Sequence, residues 1–244
     1  MNAWREGRYA DNDGVRLHYL DSAAEANPAL TPLVICPGLS ETADEYADFM
    51  AWLLPRRSVA LSFRGRGRSD APAAGYGLAP HVSDLAAILR GLSLSEFHLF
   101  AYSRGVSYAL GYASETAEGR IRSLVLADYP PMHKRMPTGW DDDYIYGYLR
   151  PEGRSDRIAE AAVRGIQAES EDVAFARFPP IPALLLYGRL ADSLVLPSDV
   201  EAYGRLFPSL RAVAFDRAGH TVFASEPDKA QRELLQFLAD HDRP

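Results

Sequence analysis

The sequence predicts an α/β fold in which a mostly parallel sheet of about eight strands is flanked by helices. Three observations lead to this fold class. Apolar runs of strand length alternate with longer stretches of helical period along the chain. The 244 residues suffice for one large domain. Hydrophobic residues make up 47% and charged residues 24% of the chain, as in ordinary soluble proteins, which excludes disordered and fibrous classes.

Seven apolar runs are predicted to be strands. They cover residues 15–20, 32–36, 58–63, 96–101, 121–127, 183–187 and 212–215. Between them, apolar residues recur at spacings of three and four over residues 78–92, and the same pattern returns over residues 234–238. That spacing places one apolar face on each helix, which can pack on the sheet.

The alternation lapses between residues 130 and 180, and a proline pair stands at each end of this stretch. The stretch contains Tyr144, Tyr146 and Tyr148 and a helix-like segment over residues 155–169, which is too much material for a plain loop. We therefore predict a small helical lid over residues 130–180, inserted into a core domain of residues 1–129 and 181–244. An extra surface helix pair without access to any site is the alternative interpretation.

Charge and composition restrict the classes of partner. The 26 basic and 33 acidic side chains give a formal net charge of −7, which disfavours nucleic acid. No apolar stretch approaches the roughly 20 residues of a membrane helix. A single cysteine, Cys36, excludes an internal disulfide, and the N-terminus has no apolar block typical of a signal peptide. We expect a cytoplasmic protein that acts on a small molecule without a membrane partner, and a homodimer stays open.

Ser103 is the candidate nucleophile. It lies between a predicted strand and the helix-forming stretch 106–116, with the small residues Ala101 and Gly105 two positions away on either side. A sharp strand-to-helix turn needs such small neighbours because the flanking backbone comes close, and this is the physical content of the nucleophile-elbow pattern. A serine hydroxyl also requires a base and a group that orients the base.

Both partners can be found downstream of Ser103. Asp192 follows the predicted strand 183–187, and His220 lies in a loop after the last strand. We predict Ser103, Asp192 and His220 as the catalytic residues, since this chain order is typical of the elbow and all three follow strands at their carboxyl ends. Asp128, at the end of the strand 121–127, is a second candidate for the acid.

At this point the chain resembles the α/β-hydrolase superfamily, in its branch with a serine nucleophile and a small lid. The stretch Arg64-Gly-Arg-Gly-Arg-Ser69 resembles the R-G-x-G-x-S motif of that family, and Pro37-Gly38-Leu39 stands in the place of its usual His-Gly-x. The resemblance implies that the backbone N–H groups of Leu39 and Arg104 form an oxyanion hole. It also implies that no cofactor is required.

The chain departs from the pattern of that family in four places. Pro37 replaces the usual histidine, Ser62 stands where an aspartate often precedes the arginine, and Ala101 replaces glycine. The loop that leads to Asp192 is one residue longer than the commonest form. None of these departures removes a catalytic group.

Other motifs have ordinary structural interpretations. The glycines 65 and 67 lack the third glycine and the following helix of a dinucleotide site, so we reject a nicotinamide cofactor. The triplet Asp141–Asp143 lacks the alternate spacing of a calcium loop, so no metal is expected. Cys36 is predicted to be a buried, inert thiol. Four histidines are expected to serve packing or the lid: His18, His81, His98 and His133.

The sequence thus predicts a serine hydrolase that cleaves a carboxylic ester or lactone through an acyl-serine intermediate. Two alternatives remain open at this stage. The same triad serves hydrolases that cleave a carbon–carbon bond in a ring-fission diketone. A receptor-like member that binds a ligand with little turnover would also keep these residues, because fold and motif do not fix turnover.

Overall fold

A computed structural model describes residues 3–116 and 119–242 and shows eight strands in one sheet. The strands of the main sheet are β1 (Arg8–Asn12), β2 (Val15–Asp21), β3 (Leu33–Cys36), β4 (Ser58–Leu61), β5 (Phe97–Tyr102), β6 (Ile121–Ala127), β9 (Ala183–Gly188) and β10 (Leu210–Phe215). Their spatial order is β1-β2-β4-β3-β5-β6-β9-β10. A separate two-stranded sheet joins β7 (Met132–His133) to β8 (Val173–Ala174).

Six neighbouring strands run parallel to one another: β4, β3, β5, β6, β9 and β10. At one edge of the sheet, β2 pairs antiparallel with β4, and β1 pairs antiparallel with β2. The predicted fold class is therefore confirmed. β1 has no counterpart among the predicted strands because its residues, Arg-Tyr-Ala-Asp-Asn, form no apolar run and are mostly exposed or half-buried at the sheet edge. The central strands β3 and β4 are fully buried and read as continuous apolar runs, as strands covered on both faces do.

Helices cover both faces of the sheet. They are α1 (Ala47–Trp52), α2 (Leu78–Gly91), α3 (Gly105–Glu115), α6 (Pro197–Leu206), α7 (Val222–Ser225) and α8 (Pro227–Asp240), with α4 (Trp140–Tyr144) and α5 (Glu160–Glu169) between β6 and β9. One buried core unites the sheet with α2, α3 and α6. A second core unites the opposite face with α1, α7 and α8. None of the helices in the described ranges combines the length and apolarity that a bilayer crossing demands.

The chain between β6 and β9 builds a small structure of its own over one end of the sheet. After α4 it continues as a π-helix (Ile145–Leu149) and then reaches α5, which begins five residues later than the predicted helical stretch 155–169. A third apolar cluster holds these turns together, with Ile145, Leu149 and Val163 packed around Tyr76, which precedes α2. We refer to residues 130–180 as the inserted segment.

Candidate active site

Ser103 lies in a strained turn at the carboxyl end of β5. Its φ angle is 51°, a left-handed value that is uncommon for residues other than glycine. Its N–H donates to the carbonyl of Ala127 on the neighbouring strand (2.9 Å). A Cβ atom on Gly105 would lie 2.3 Å from the carbonyl oxygen of Pro37 and 2.5 Å from that of Cys36. Only glycine fits at this position, as the sequence pattern predicts.

His220 lies in the loop between β10 and α7, with its ring beside Ser103. The distance from His220 Nε2 to Ser103 Oγ is 2.9 Å, so the hydroxyl can donate to the imidazole. The ring of Tyr102 stacks on the imidazole at a centroid distance of 5.0 Å and an interplanar angle of 28°. Two side chains separated by 117 positions in the sequence thus meet at one edge of the sheet.

Asp128 holds the other nitrogen of the imidazole. His220 Nδ1 donates to Asp128 Oδ2 at 2.8 Å, and the carboxylate is fully buried. It also accepts hydrogen bonds from the Ser193 hydroxyl (2.6 Å) and from the backbone N–H groups of Gly188 and Leu194. Burial alone would raise the pKa of Asp128, but the bonds from His220, Ser193 and the two backbone amides hold that pKa below its usual value.

The predicted contact of Asp192 with the imidazole is wrong. Asp192 is exposed, and its carboxylate accepts the backbone N–H of His220 (3.3 Å) instead of the ring N–H. The longer loop after β9 passes beside Asp128 and gives it two donors, Ser193 and Leu194. Because these donors and Gly188 surround the buried carboxylate of Asp128, that residue takes the place on the ring which the sequence analysis assigned to Asp192.

The loop that contains Leu39 is held by bonds on both of its sides. Glu41 Oε2 accepts the N–H of Gly38 at 2.7 Å, and the N–H of Glu41 donates back to the carbonyl of Gly38 at 3.3 Å. Arg66, buried to 1% exposure, donates from Nε to the carbonyl of Leu39 at 3.0 Å. The Gly38 N–H, the Gly38 carbonyl and the Leu39 carbonyl are therefore all hydrogen-bonded, and these bonds fix the orientation of the Leu39 N–H between them.

No sequence pattern identified Glu41 as a residue of the site. Its Oε2 also accepts the hydroxyl hydrogen of Tyr46 at 2.7 Å, and burial raises the pKa of the Glu41 carboxyl. The only available signal was an acidic residue close to the predicted oxyanion loop, which is too common to single out. Arg66 belongs to the R-G-x-G-x-S motif, and its contact with Leu39 gives that motif a local structural purpose.

Arg104 follows Ser103, and its buried side chain points away from the nucleophile. The guanidinium donates to the Tyr108 hydroxyl (3.2 Å) and to the carbonyl of Lys134 (3.1 Å) in the inserted segment, and contacts His133 Nε2 (3.2 Å). The side chain thus ties the turn to the inserted segment. Its backbone N–H lies in the turn from which α3 begins, where unpaired amide groups favour negative charge.

A cavity of about 490 Å³ opens above Ser103 and His220, between the loop of Leu39 and the inserted segment. Tyr144 and Tyr148 of the inserted segment line it together with Leu39. The Tyr144 hydroxyl lies 2.7 Å from that of Ser40, which ties the inserted segment to the loop of Leu39. Arg154 adds a cation to the wall and forms an ion pair with Glu45 (3.0 Å). The inserted segment therefore has access to the candidate site, unlike the surface helix pair considered as the alternative.

The remaining sequence candidates lie elsewhere. Arg164 pairs with Asp141 and Asp142 at 2.9 and 3.0 Å, so these carboxylates form a salt-bridged surface turn. Cys36 is buried, and burial raises the pKa of its thiol. The side chains of His18, His81, His98 and His133 are all buried. Across residues 3–116 and 119–242, no group of three His, Cys, Asp or Glu side chains is arranged to hold a metal ion.

Comparison with known proteins gives consistent matches. The family model for the alpha/beta hydrolase fold matches residues 31–164. N-formylmaleamate deformylase of Pseudomonas putida is 26% identical over 276 aligned residues, which cover 99% of each chain. Among solved structures, an esterase from Exiguobacterium antarcticum superposes with a TM-score of 0.79 at 20% identity, over 96% of this chain and 99% of the other. The esterase RhEst1 from Rhodococcus sp. gives 0.77 at 23% identity, with coverages of 96% and 99%.

Proposed function

Because the chain belongs to the alpha/beta hydrolase family, we propose that it is a serine hydrolase that cleaves a carboxylic ester or lactone through an acyl-serine intermediate. The observation that carries this proposal is the continuous hydrogen-bonded line from Ser103 Oγ to His220 Nε2 and from His220 Nδ1 to Asp128 Oδ2. The fold alone would not suffice, since one fold hosts many functions.

The first half of the reaction uses His220 as the base. Its Nε2 accepts the proton of Ser103 while Oγ attacks the substrate carbonyl carbon, and the carbonyl oxygen becomes an oxyanion. The backbone N–H groups of Leu39 and Arg104 donate to that oxyanion. Collapse of the tetrahedral intermediate breaks the bond to the leaving oxygen, which takes the proton from His220 Nε2 and departs as the alcohol.

The second half reverses these roles with water. His220 accepts a proton from a water molecule, whose oxygen attacks the acyl carbon bound to Ser103. The bond to Ser103 Oγ then breaks, Oγ regains a proton from His220, and the carboxylic acid is released. Throughout both halves, Asp128 fixes the tautomer of the imidazole and stabilises the imidazolium. No cofactor takes part in these steps.

N-acyl cleavage is a second candidate. The relative from Pseudomonas putida that aligns over nearly the whole chain is a deformylase of N-formylmaleamate, which carries its acyl group on nitrogen. The same serine, histidine and aspartate chemistry applies, with an amide nitrogen in place of the leaving alcohol oxygen, and that nitrogen takes its proton from His220 Nε2. A substrate panel of short esters, lactones, N-formyl and N-acetyl amides and a ring-fission diketone separates these reactions, and continued turnover separates an enzyme from a ligand-binding receptor.

Labelling with a fluorophosphonate tests the nucleophile. The wild-type protein should form one covalent adduct on Ser103, and Ser103→Ala should lose both the adduct and about 10⁴-fold to 10⁶-fold of the turnover. Ser40→Ala is the matched control, because Ser40 lines the same cavity and should leave Ser103 reactive. An adduct that persists in Ser103→Ala, or one that maps to Ser40, would contradict the proposal.

A further inference from the structure

A second chamber adjoins the cavity above Ser103. Its volume is about 260 Å³, and it shares three wall residues with the larger cavity: Glu41, Tyr102 and Thr221. One side of the chamber is formed by the chain after Leu39, and the other side by Thr221 and α7, which follow His220 in the chain. The two spaces are therefore neighbouring compartments of one groove.

Aromatic rings form a large part of the chamber wall. Phe49 of α1, Phe100 of β5 and Phe223 of α7 contact one another with ring centroids 5.6 to 5.7 Å apart. Tyr46 packs edge-on against Phe49 at 6.2 Å. Such a wall offers dispersion contacts and ring edges to an apolar guest, and aromatic pairs gain further from offset or edge-to-face contact.

The carboxylates in the wall already have partners. Glu41 accepts hydrogen bonds from Tyr46 and Gly38, and burial raises its pKa, which favours its neutral form. Glu45 forms ion pairs with Arg154 and Arg157. A charged guest would gain no new ion pair from these groups and would lose its hydration, so the chamber suits a neutral group.

We propose that this chamber binds a neutral, aryl-sized leaving group of the substrate, an inference that rests on the ester hydrolysis proposed above. The leaving oxygen must take its proton from His220 Nε2, which places the leaving group on the histidine side of Ser103. The chamber begins on that side, at Thr221 and at the Tyr102 ring that stacks on His220.

The size of the chamber agrees with this assignment. A dry apolar cavity of about 150 Å³ is known to hold benzene, so about 260 Å³ accommodates a six-membered ring with a short linker. The acyl group then occupies the larger compartment beneath Tyr144 and Tyr148 of the inserted segment. The favoured substrates are accordingly esters of benzyl-type alcohols.

The test compares esters that share an acyl group and differ in the leaving alcohol. We expect kcat/KM for benzyl acetate to exceed that for ethyl acetate at least tenfold, because the buried ring loses its contact with water. In Ala224→Trp, an indole on the exposed chamber wall should fill the space and reduce this ratio below about threefold. Ala224→Leu, a smaller change, should give an intermediate ratio.

Ala239→Trp is the matched control, since Ala239 is exposed on α8 and lies outside both cavities. It should keep the wild-type ratio. A ratio near one in the wild type, or an unchanged ratio in both Ala224 variants, would overturn the proposal. Methyl phenylacetate carries its ring on the acyl group, so its preference over methyl acetate reports on the acyl side. If Ala224→Trp removes that preference and leaves the preference for benzyl acetate intact, the assignment of the chamber to the leaving group is wrong.

A binding measurement separates failure of this inference from failure of the proposed function. Benzyl alcohol titrated into the wild-type protein should shift NMR signals of the chamber residues, and the shifts should disappear in Ala224→Trp but persist in Ala239→Trp. If those shifts occur and no ester is turned over, the chamber binds a neutral aryl group as inferred, and the ester hydrolase proposal is wrong. If esters are turned over and benzyl alcohol does not bind, the chamber assignment is wrong.

Discussion

At the residue scale, two aspartates contact His220 in different ways. Asp128 accepts the ring N–H, whereas Asp192 accepts the backbone N–H of the same residue. We expect Asp128→Asn to reduce kcat about 10⁴-fold, because an amide beside Nδ1 favours the wrong tautomer of the imidazole.

Asp192→Asn should cost less than tenfold, since an amide oxygen can still accept the backbone N–H. Steady-state hydrolysis of an activated ester by both variants, with circular dichroism to verify their folding, checks this ranking. Equal losses of kcat in the two variants would show that the hydrogen bond to the His220 ring does not distinguish the role of Asp128 from that of Asp192.

Glu41 should affect the rate through the loop of Leu39. Glu41→Leu removes the acceptor for Gly38 and Tyr46, so the Leu39 N–H loses its fixed orientation and kcat should fall about 10- to 100-fold with little change in KM. Glu41→Gln keeps an acceptor oxygen and should recover most of kcat. Measured kcat and KM for both variants test this expectation, and a loss that appears only in KM would assign Glu41 to substrate binding instead.

At the element scale, the turn between β5 and α3 depends on Gly105. Gly105→Ala would drive a Cβ atom into the carbonyl oxygens of Cys36 and Pro37, so the loop of Leu39 must shift. We expect a loss of about 1 to 3 kcal/mol in the free energy of unfolding, together with a reduced rate in the assay that measures turnover.

Gly204→Ala is the control for that substitution. Gly204 is exposed within α6, and no heavy atom lies within 4 Å of its added Cβ. Alanine there should stabilise the protein by about 0.5 to 1 kcal/mol, because it lowers the entropy of the unfolded chain. Urea unfolding of both variants measures the two changes, and equal effects would contradict this account of the turn.

The elements show which features local sequence can predict. The strand β6 lies at residues 121–127 as predicted, since a buried strand needs a continuous apolar run. The choice between Asp128 and Asp192 is different in kind. β6 and β9 are parallel neighbours in the sheet, so the aspartates that follow them lie at the same end of the sheet. Only the path of the loop after β9 decides which carboxylate contacts the ring of His220. Sequence patterns do not encode that path.

At the scale of the whole molecule, buried histidines link stability to pH. Burial lowers the pKa of His18 and of His98 to about 4, and that of His133 to about 3. In the unfolded chain these residues bind protons near pH 6.5, so below that pH the unfolded state holds more protons than the folded state. Stability should therefore be fully present above about pH 6.5 and should decline as the pH falls towards 4.

Each such histidine adds up to about 1.4 kcal/mol per pH unit to the slope of unfolding free energy against pH. His98→Gln should lower the slope of unfolding free energy against pH between pH 6.5 and 5 by the contribution of one histidine. This change in slope is expected whatever the substitution does to stability at neutral pH. Urea unfolding across this range measures the slope. An unchanged slope in His98→Gln would mean that His98 is already protonated in the folded protein.

Asp128, and not Asp192, holds the ring of His220 for Ser103. Proton NMR of the His220 Nδ1–H tests it most directly, because a ring N–H bonded to a buried carboxylate gives a resolved resonance at low field. We expect this resonance in the wild type and in Asp192→Asn, and its absence in Asp128→Asn and His220→Gln. A resonance that survives in Asp128→Asn and vanishes in Asp192→Asn would contradict it.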